Sequence, residues 1–249
     1  MTIPTLAYIR HVETNVTAMS VISRVEQPSL SDQAANALRT EILACRLPPG
    51  SAISESFATE HLSLGRAPIR AALARLAEEG LVQALPRRGW VVSHVTIRDI
   101  HEVFDLRMLL ESEAARVVAA KRIDGARLHR LDPVVALGHR PTDPESALGF
   151  LAANRAFHVA IARLSGNQRL ARQVGRLLDE STRMLVMGLS LRDRSTEMAH
   201  EHRELIEALA AGAASEAAAI MRTQICASRD MVLTALTGPN SPLPIMEPS

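Results

Sequence analysis

The chain has 249 residues, with 28 Lys and Arg against 27 Asp and Glu, so its net charge of +1 sets up no global field for nucleic acid or an anionic membrane. Hydrophobic residues make up 47% and aromatic residues 2%, which leaves the core to Leu, Val, Ile, Ala and Met and favours helices over sheets. Cys45 and Cys226 fit no metal or disulfide spacing, and no apolar run nears the ~20 residues that span a bilayer. These features predict free thiols in a cytoplasmic protein with no membrane segment.

Residues 1–25 lack an apolar signal-peptide region and read as a poorly ordered lead. Residues 26–96 read as a first domain. A helix starts near Ser31, with Ser31 or Asp32 as its cap and Ala34, Leu38, Ile42 and Leu43 at helical spacing. Pro48, Pro49 and Gly50 stop it. A second helix covers Glu55 to Leu62, and "SLG" makes the turn. A third starts at Arg66, with Gly65 as its cap, Pro68 in the first turn and Gly80 placed for a left-handed end. "LVQAL" and "WVVSHV" flank "PRRG" as a two-stranded hairpin. Three helices and a hairpin make the winged helix-turn-helix plan.

Ile69, Ala72, Leu73 and Leu76 share the inner face of the third helix; Arg66, Ala67, Arg70, Ala71 and Ala74 share the outer one. Small alanines let such a face approach a groove while the arginines reach phosphate or guanine. Arg87 and Arg88 at the hairpin tip are placed for DNA backbone or minor groove. Two arginines alone read equally well as a solvated face; the ordered series of helix, turn, basic helix and basic hairpin points to DNA. Arg75 faces elsewhere, towards Glu78 or Glu79.

After Thr96 the strand signals end. Amphipathic helices are predicted at Ile97–Arg122, Asp124–Leu137, Pro144–Leu164, Gln168–Leu189, Arg192–Ala211 and Ala214–Leu236, with a loose tail over 237–249. Residues 97–236 thus form an all-α bundle in a mostly α protein. Polar residues interrupt its apolar stripes: Arg107 one turn before Glu111, Asn154 and His158 between Leu151 and Ile161, His202 beside Met198 and Leu205, and Gln224 beside Ile220. Each alone reads as a satisfied core residue. Together they predict a polar cavity, because buried polar groups need partners.

"LRTEILACRLPPGSAIS" and "GRAPIRAALARLAEEGLVQALPRRGWVV" resemble the DNA-binding domain of the GntR family of bacterial transcription regulators, over residues 30 to 96. The resemblance implies that Arg66 and Arg70 contact an operator and that Gly89 lies in the wing, giving Arg66, Ala67, Arg70, Arg87, Arg88 and Gly89 as the DNA-binding set. The chain departs from the pattern at "SLGR", where Gly65 replaces a hydroxyl, and at Ser56, where the family has an arginine. "IHEVFDLRMLLESEAARVVA", "NRAFHVAIARLSGN" and "EHRELIEALAAG" resemble the FCD effector domain of the FadR-like subfamily, over 97 to 236.

That second resemblance implies a divalent metal held by an Asp or Asn and three histidines, with a small carboxylate effector completing the coordination. Asn154, His158 and His202 match three ligands; Gln224 stands at the position of the last histidine. Without a carboxylate or a third imidazole the site carries no formal negative charge, which predicts weak metal retention. Arg107 matches an arginine that faces the effector. The implied function is a dimeric repressor whose affinity for double-stranded operator DNA changes when Arg107, Asn154, His158, His202 and Gln224 receive a carboxylate. The alternative is a metal-dependent hydrolytic enzyme using His158 and His202 with Glu201. It lacks HExxH spacing, and the periodicity places Glu201 off the His202 stripe.

Overall fold

The computed structural model describes residues 28–132, 140 and 143–238. The expected lead at 1–25 and most of the tail at 237–249 lie outside these residues.

The first unit opens with α1 (Leu30–Leu43), which continues into β1 (Ala52–Ile53), α2 (Glu55–Leu62), α3 (Arg66–Glu78), β2 (Val82–Leu85) and β3 (Gly89–Val92). Ser29, rather than Ser31 or Asp32, caps α1: its hydroxyl accepts the Asp32 amide while the Asp32 carboxylate accepts the Ser29 amide, a reciprocal capping box. Gly65 caps α3 with no side-chain hydrogen bond, and Gly80 takes φ +73 just past its end. The sheet has three strands rather than the two of the expected hairpin. Its order is β1-β3-β2, antiparallel throughout, with Ala52 opposite Val91 and Val82 opposite Val92. Two residues of β1 are too few to give an alternating pattern, so the sequence carried no signal for it. Leu38, Ile42, Ile53, Ile69, Leu73, Leu76, Val82 and Val92 form the core of this unit.

The second unit is helical: α4 (Ile97–Ala119), α5 (Gly125–His129), α6 (Pro144–Leu164), α7 (Gln168–Leu191), α8 (Ser195–Ala211) and α9 (Ala214–Thr237). Thr96 and Asp99 make a second capping box at the start of α4. Asn167 caps α7 by accepting the Arg169 and Leu170 amides, immediately after Gly166 turns the chain with φ +89. The helix expected over Asp124–Leu137 is five residues long and stops at His129. Pro133 lacks an amide proton and disfavours a helical Asp132, so the pattern could not continue through it; residues 133–137 lie outside the described set. Helix α9 runs against α4, and α6 against α7, around a core that includes Phe104, Phe150, Phe157, Ile161 and Leu205. No helix among the described residues is long and apolar enough to cross a membrane.

Candidate nucleic-acid interface and polar cavity

Arg66, Ala67, Arg70, Ala71 and Ala74 are all exposed on α3, opposite the buried Ile69, Ala72, Leu73 and Leu76. Gly65 supplies no side-chain cap, so no capping side chain takes up the first amides of this helix, and the positive end of its dipole favours an anion there. Arg70 is not a free cation. Its Nε and Nη2 donate to the two carboxylate oxygens of Glu55, each at 2.9 Å, across from the first turn of α2. That partner was missed because nothing in the spacing of residues 15 apart signals contact. Arg75 pairs with Glu79 and also with Asp32 of α1. At the wing tip Arg87 and Arg88 are exposed, and Arg87 takes φ +63 after Pro86, a position usually given to Gly or Asn. Gly89 serves the shape of the wing: it has φ +90, and a Cβ there would lie 3.0 Å from the Ile53 carbonyl of β1.

In the helical unit Arg107, Asn154, His158, His202 and Gln224 do converge. They line one cavity of about 10 Å³, room for a single water molecule, together with Leu185, Met198, Glu201, Ile225 and Ser228. Glu201 is also part of the wall, where its carbonyl accepts from Gln224 while its carboxylate turns to Arg194. Arg194, just before α8, holds that carboxylate through Nη2 at 2.5 Å.

The cavity is not free of negative charge. Glu111 accepts Arg107 Nε at 2.8 Å and meets His158 Nδ1 at 2.5 Å; Asp132 meets His202 Nδ1 at 3.1 Å. Each imidazole thus has a carboxylate behind it, the arrangement that fixes the tautomer and orientation of ligating histidines. Burial alone raises the Glu111 carboxyl, but Arg107 and His158 outweigh it and hold the group at about 2. Burial pushes the His202 imidazole below its ordinary value, against the opposing pull of Asp132. Arg107, read from the sequence as a free anchor for an anion, is already ion-paired, and its Nη1 also donates to Ser181 on α7 at 3.4 Å. The Arg107–Glu111 spacing was visible as a helical i,i+4 pair. Asp132 was hidden in a segment read as helix.

With Nδ1 engaged, Nε2 is the nitrogen each ring has left for a ligand. Gln224 donates through Nε2 to the Glu201 carbonyl at 2.6 Å, which leaves its Oε1 buried and without a partner. Asn154 Oδ1 is likewise buried and unpartnered. Two imidazole nitrogens and two amide oxygens make an acceptor-rich lining whose donor chemistry suits a divalent cation, although no group of three or more His, Cys, Asp or Glu among the described residues is placed to hold one.

Residues 30–92 match the family model for bacterial regulatory proteins of the gntR family, and residues 102–225 match the FCD domain model. A helix-turn-helix transcriptional regulator from an unstable DNA locus of Streptomyces ambofaciens is 31% identical over 194 residues, 78% of this chain and 80% of that protein. The chain belongs to the GntR family. Within it, this GntR chain is also 24% identical over 211 residues to the transcriptional repressor GlaR of Escherichia coli, 81% of this chain and 94% of that one. A GntR regulator structure from Rhodococcus sp. RHA1 superposes with a TM-score of 0.64 at 25% identity, covering 84% of this chain and 99% of that one. The proteins of this GntR group are DNA-binding transcription regulators, not enzymes, so the hydrolytic reading of His158 and His202 falls away.

Proposed function

We propose that this GntR regulator is a dimeric repressor, and that a small carboxylate entering the polar cavity alters its grip on operator DNA. The cavity carries the reading. It gathers the Arg107 cation, two carboxylate-backed imidazoles and two buried amide oxygens without partners inside the helical core, and a stability-driven core would not keep them. Asn154, His158, His202 and Gln224 would hold a divalent ion, which when bound offers a Lewis-acidic anchor to a carboxylate. Glu111 and Asp132 orient the two rings, and Arg107 sets a positive charge in the same wall. Because the cavity holds only one water, a carboxylate requires its walls to part, and binding that favours one conformation is what shifts a population. Relatives named as repressors support the direction of control. The second copy has a face to meet: Leu106 and Leu109 on α4 are 48% and 63% exposed.

The test joins elemental analysis to calorimetry. We expect a divalent ion that a chelator removes readily, since neutral amides hold it less firmly than a direct carboxylate would. Small aliphatic carboxylates should bind the metal-loaded wild type and lose at least ten-fold in affinity in Arg107→Lys, which keeps the charge against Glu111 but not the guanidinium fork. Equal carboxylate binding in both proteins would remove Arg107 as the anchor, and no binding to the metal-loaded wild type would remove the effector reading.

A further inference from the structure

Arg183 on α7 is 8% exposed, and the carboxylate that acts on it, Asp99 at the start of α4, attracts its charge without a hydrogen bond to it. Its Nη1 donates to the Ser93 carbonyl at 2.7 Å and its Nη2 to the His94 carbonyl at 3.3 Å. Burying a guanidinium is costly, and the hydrogen bonds of this one go to two successive backbone carbonyls and not to a carboxylate. Those carbonyls are at the joint between the two units. Ser93 still belongs to the wing, donating its amide to the Leu81 carbonyl; Val95 is already packed in the helical core, and Thr96 caps α4. Arg183 grips the joint in its middle. Beside it, Cys45 at the end of the α1 turn packs on the helical core, and burial pushes its thiol up to about 11 although Arg183 pulls the other way.

The same helix touches the cavity on its other side. Ser181 takes the Arg107 hydrogen bond and Leu185 lines the cavity, while Arg183, between them in sequence, points half a turn or more away. We infer that Arg183 is a positioning residue for DNA binding: it fixes the winged unit in one orientation on α7, and so sets the distance at which two such units meet paired half-sites. The half-site part rests on the dimer proposed above; the clamp itself does not, and neither depends on a bound carboxylate.

The test uses the full chain without ligand, in a Cys226→Ser background, with Arg183→Met to remove the donors at similar bulk. The first readout is the rate of Cys45 alkylation by iodoacetamide. Opening of the joint should raise it at least ten-fold, whereas loss of the Arg183 charge alone raises the thiol pKa and slows it. The second is selection from a pool of duplexes with randomised half-sites and spacers. The variant should keep the wild-type half-site sequence but accept a wider range of spacings, which a merely destabilised domain would not do. Arg183→Lys, able to serve one carbonyl, should fall between the two and decides the matter if the Met variant does not fold. Arg46→Ala, which cuts the exposed ion pair to Glu145 across the same units, should match wild type in both readouts. Wild-type alkylation and a single wild-type spacing in the Met and Lys variants would overturn the inference.

Discussion

Glu55 sets the terms on which Arg70 can bind DNA. Both oxygens of the carboxylate are used on the guanidinium, and each holds the other in its charged form, hydrogen bonding first and coulombic attraction next. An operator contact by Arg70 must exchange this pair for a base or phosphate. Glu55→Gln should therefore strengthen DNA binding, while Arg70→Ala should weaken it by ~1–3 kcal/mol if the contact is bidentate to a base. Fluorescence anisotropy at two salt concentrations separates a base contact from a phosphate contact, since only the latter lowers the salt slope by about one. Weaker binding by Glu55→Gln would mean that the carboxylate orients Arg70 for DNA instead of competing with it. Residue-level periodicity identified Arg66 and Arg70 as outward-facing, yet it gave no access to what each faces across the fold.

Two groups at the cavity also predict acid sensitivity in the metal-free protein. His202 is held below its ordinary value of 6.5, so as pH falls below that value the unfolded chain takes up the proton first and stability declines. Glu111 is held at about 2 against an ordinary 4.5, so its contribution is complete above 4.5 and is lost as pH falls through about 2. The second step is worth about 3 kcal/mol at most. Thermal denaturation from pH 7.5 to 3 should show a loss beginning near neutrality in wild type and only below about pH 5 in His202→Gln. Identical profiles would place the first loss elsewhere.

Among the elements, those with a long period were legible and those set by a single contact were not. Ile69, Leu73 and Leu76 announced α3, and the "SGN" turn between α6 and α7 was readable because Gly166 and Asn167 each do one known thing. The two-residue β1 exists only because β3 offers it an edge, and α5 ends early because Pro133 outweighs an apolar pattern that would have continued. The turn that leads into β1 shows how tightly that strand is held. Gly50 has φ +83, donates to the Val92 carbonyl at 2.8 Å, and a Cβ there would come within 2.6 Å of the His94 ring. Gly50→Ala should cost ~1–2 kcal/mol from the left-handed backbone alone, with the displaced His94 ring adding to it. Chemical denaturation should register the loss. A variant as stable as wild type would show that the turn rearranges without cost.

At the scale of the whole molecule, two hydrophobic cores meet at a joint only a few residues long, and residues 93–96, placed in the first domain by the sequence pattern, also make contacts with the second. Val95 is packed with the helical core, Thr96 supplies the cap of α4, and the carbonyls of Ser93 and His94 satisfy Arg183. A fragment that begins at Ile97 keeps every helix of the second unit but discards all of these. Loss of an N-cap costs about 1 kcal/mol and loss of a buried Val about 1.5 kcal/mol or more. The guanidinium, stripped of its acceptors, turns to water once the first unit no longer covers it. Fragments beginning at Ser93 and at Ile97 should therefore both fold as nearly all-α dimers, because α4 to α9 carry their own core and the Leu106–Leu109 face. The longer should melt higher by roughly 5–10 °C, at about 2–4 °C per kcal/mol for a domain of this size. Circular dichroism melts with sedimentation at micromolar concentration test both statements. Equal melting temperatures would mean that residues 93–96 add no stability to the second unit, and a monomer would take α4 out of the dimer interface.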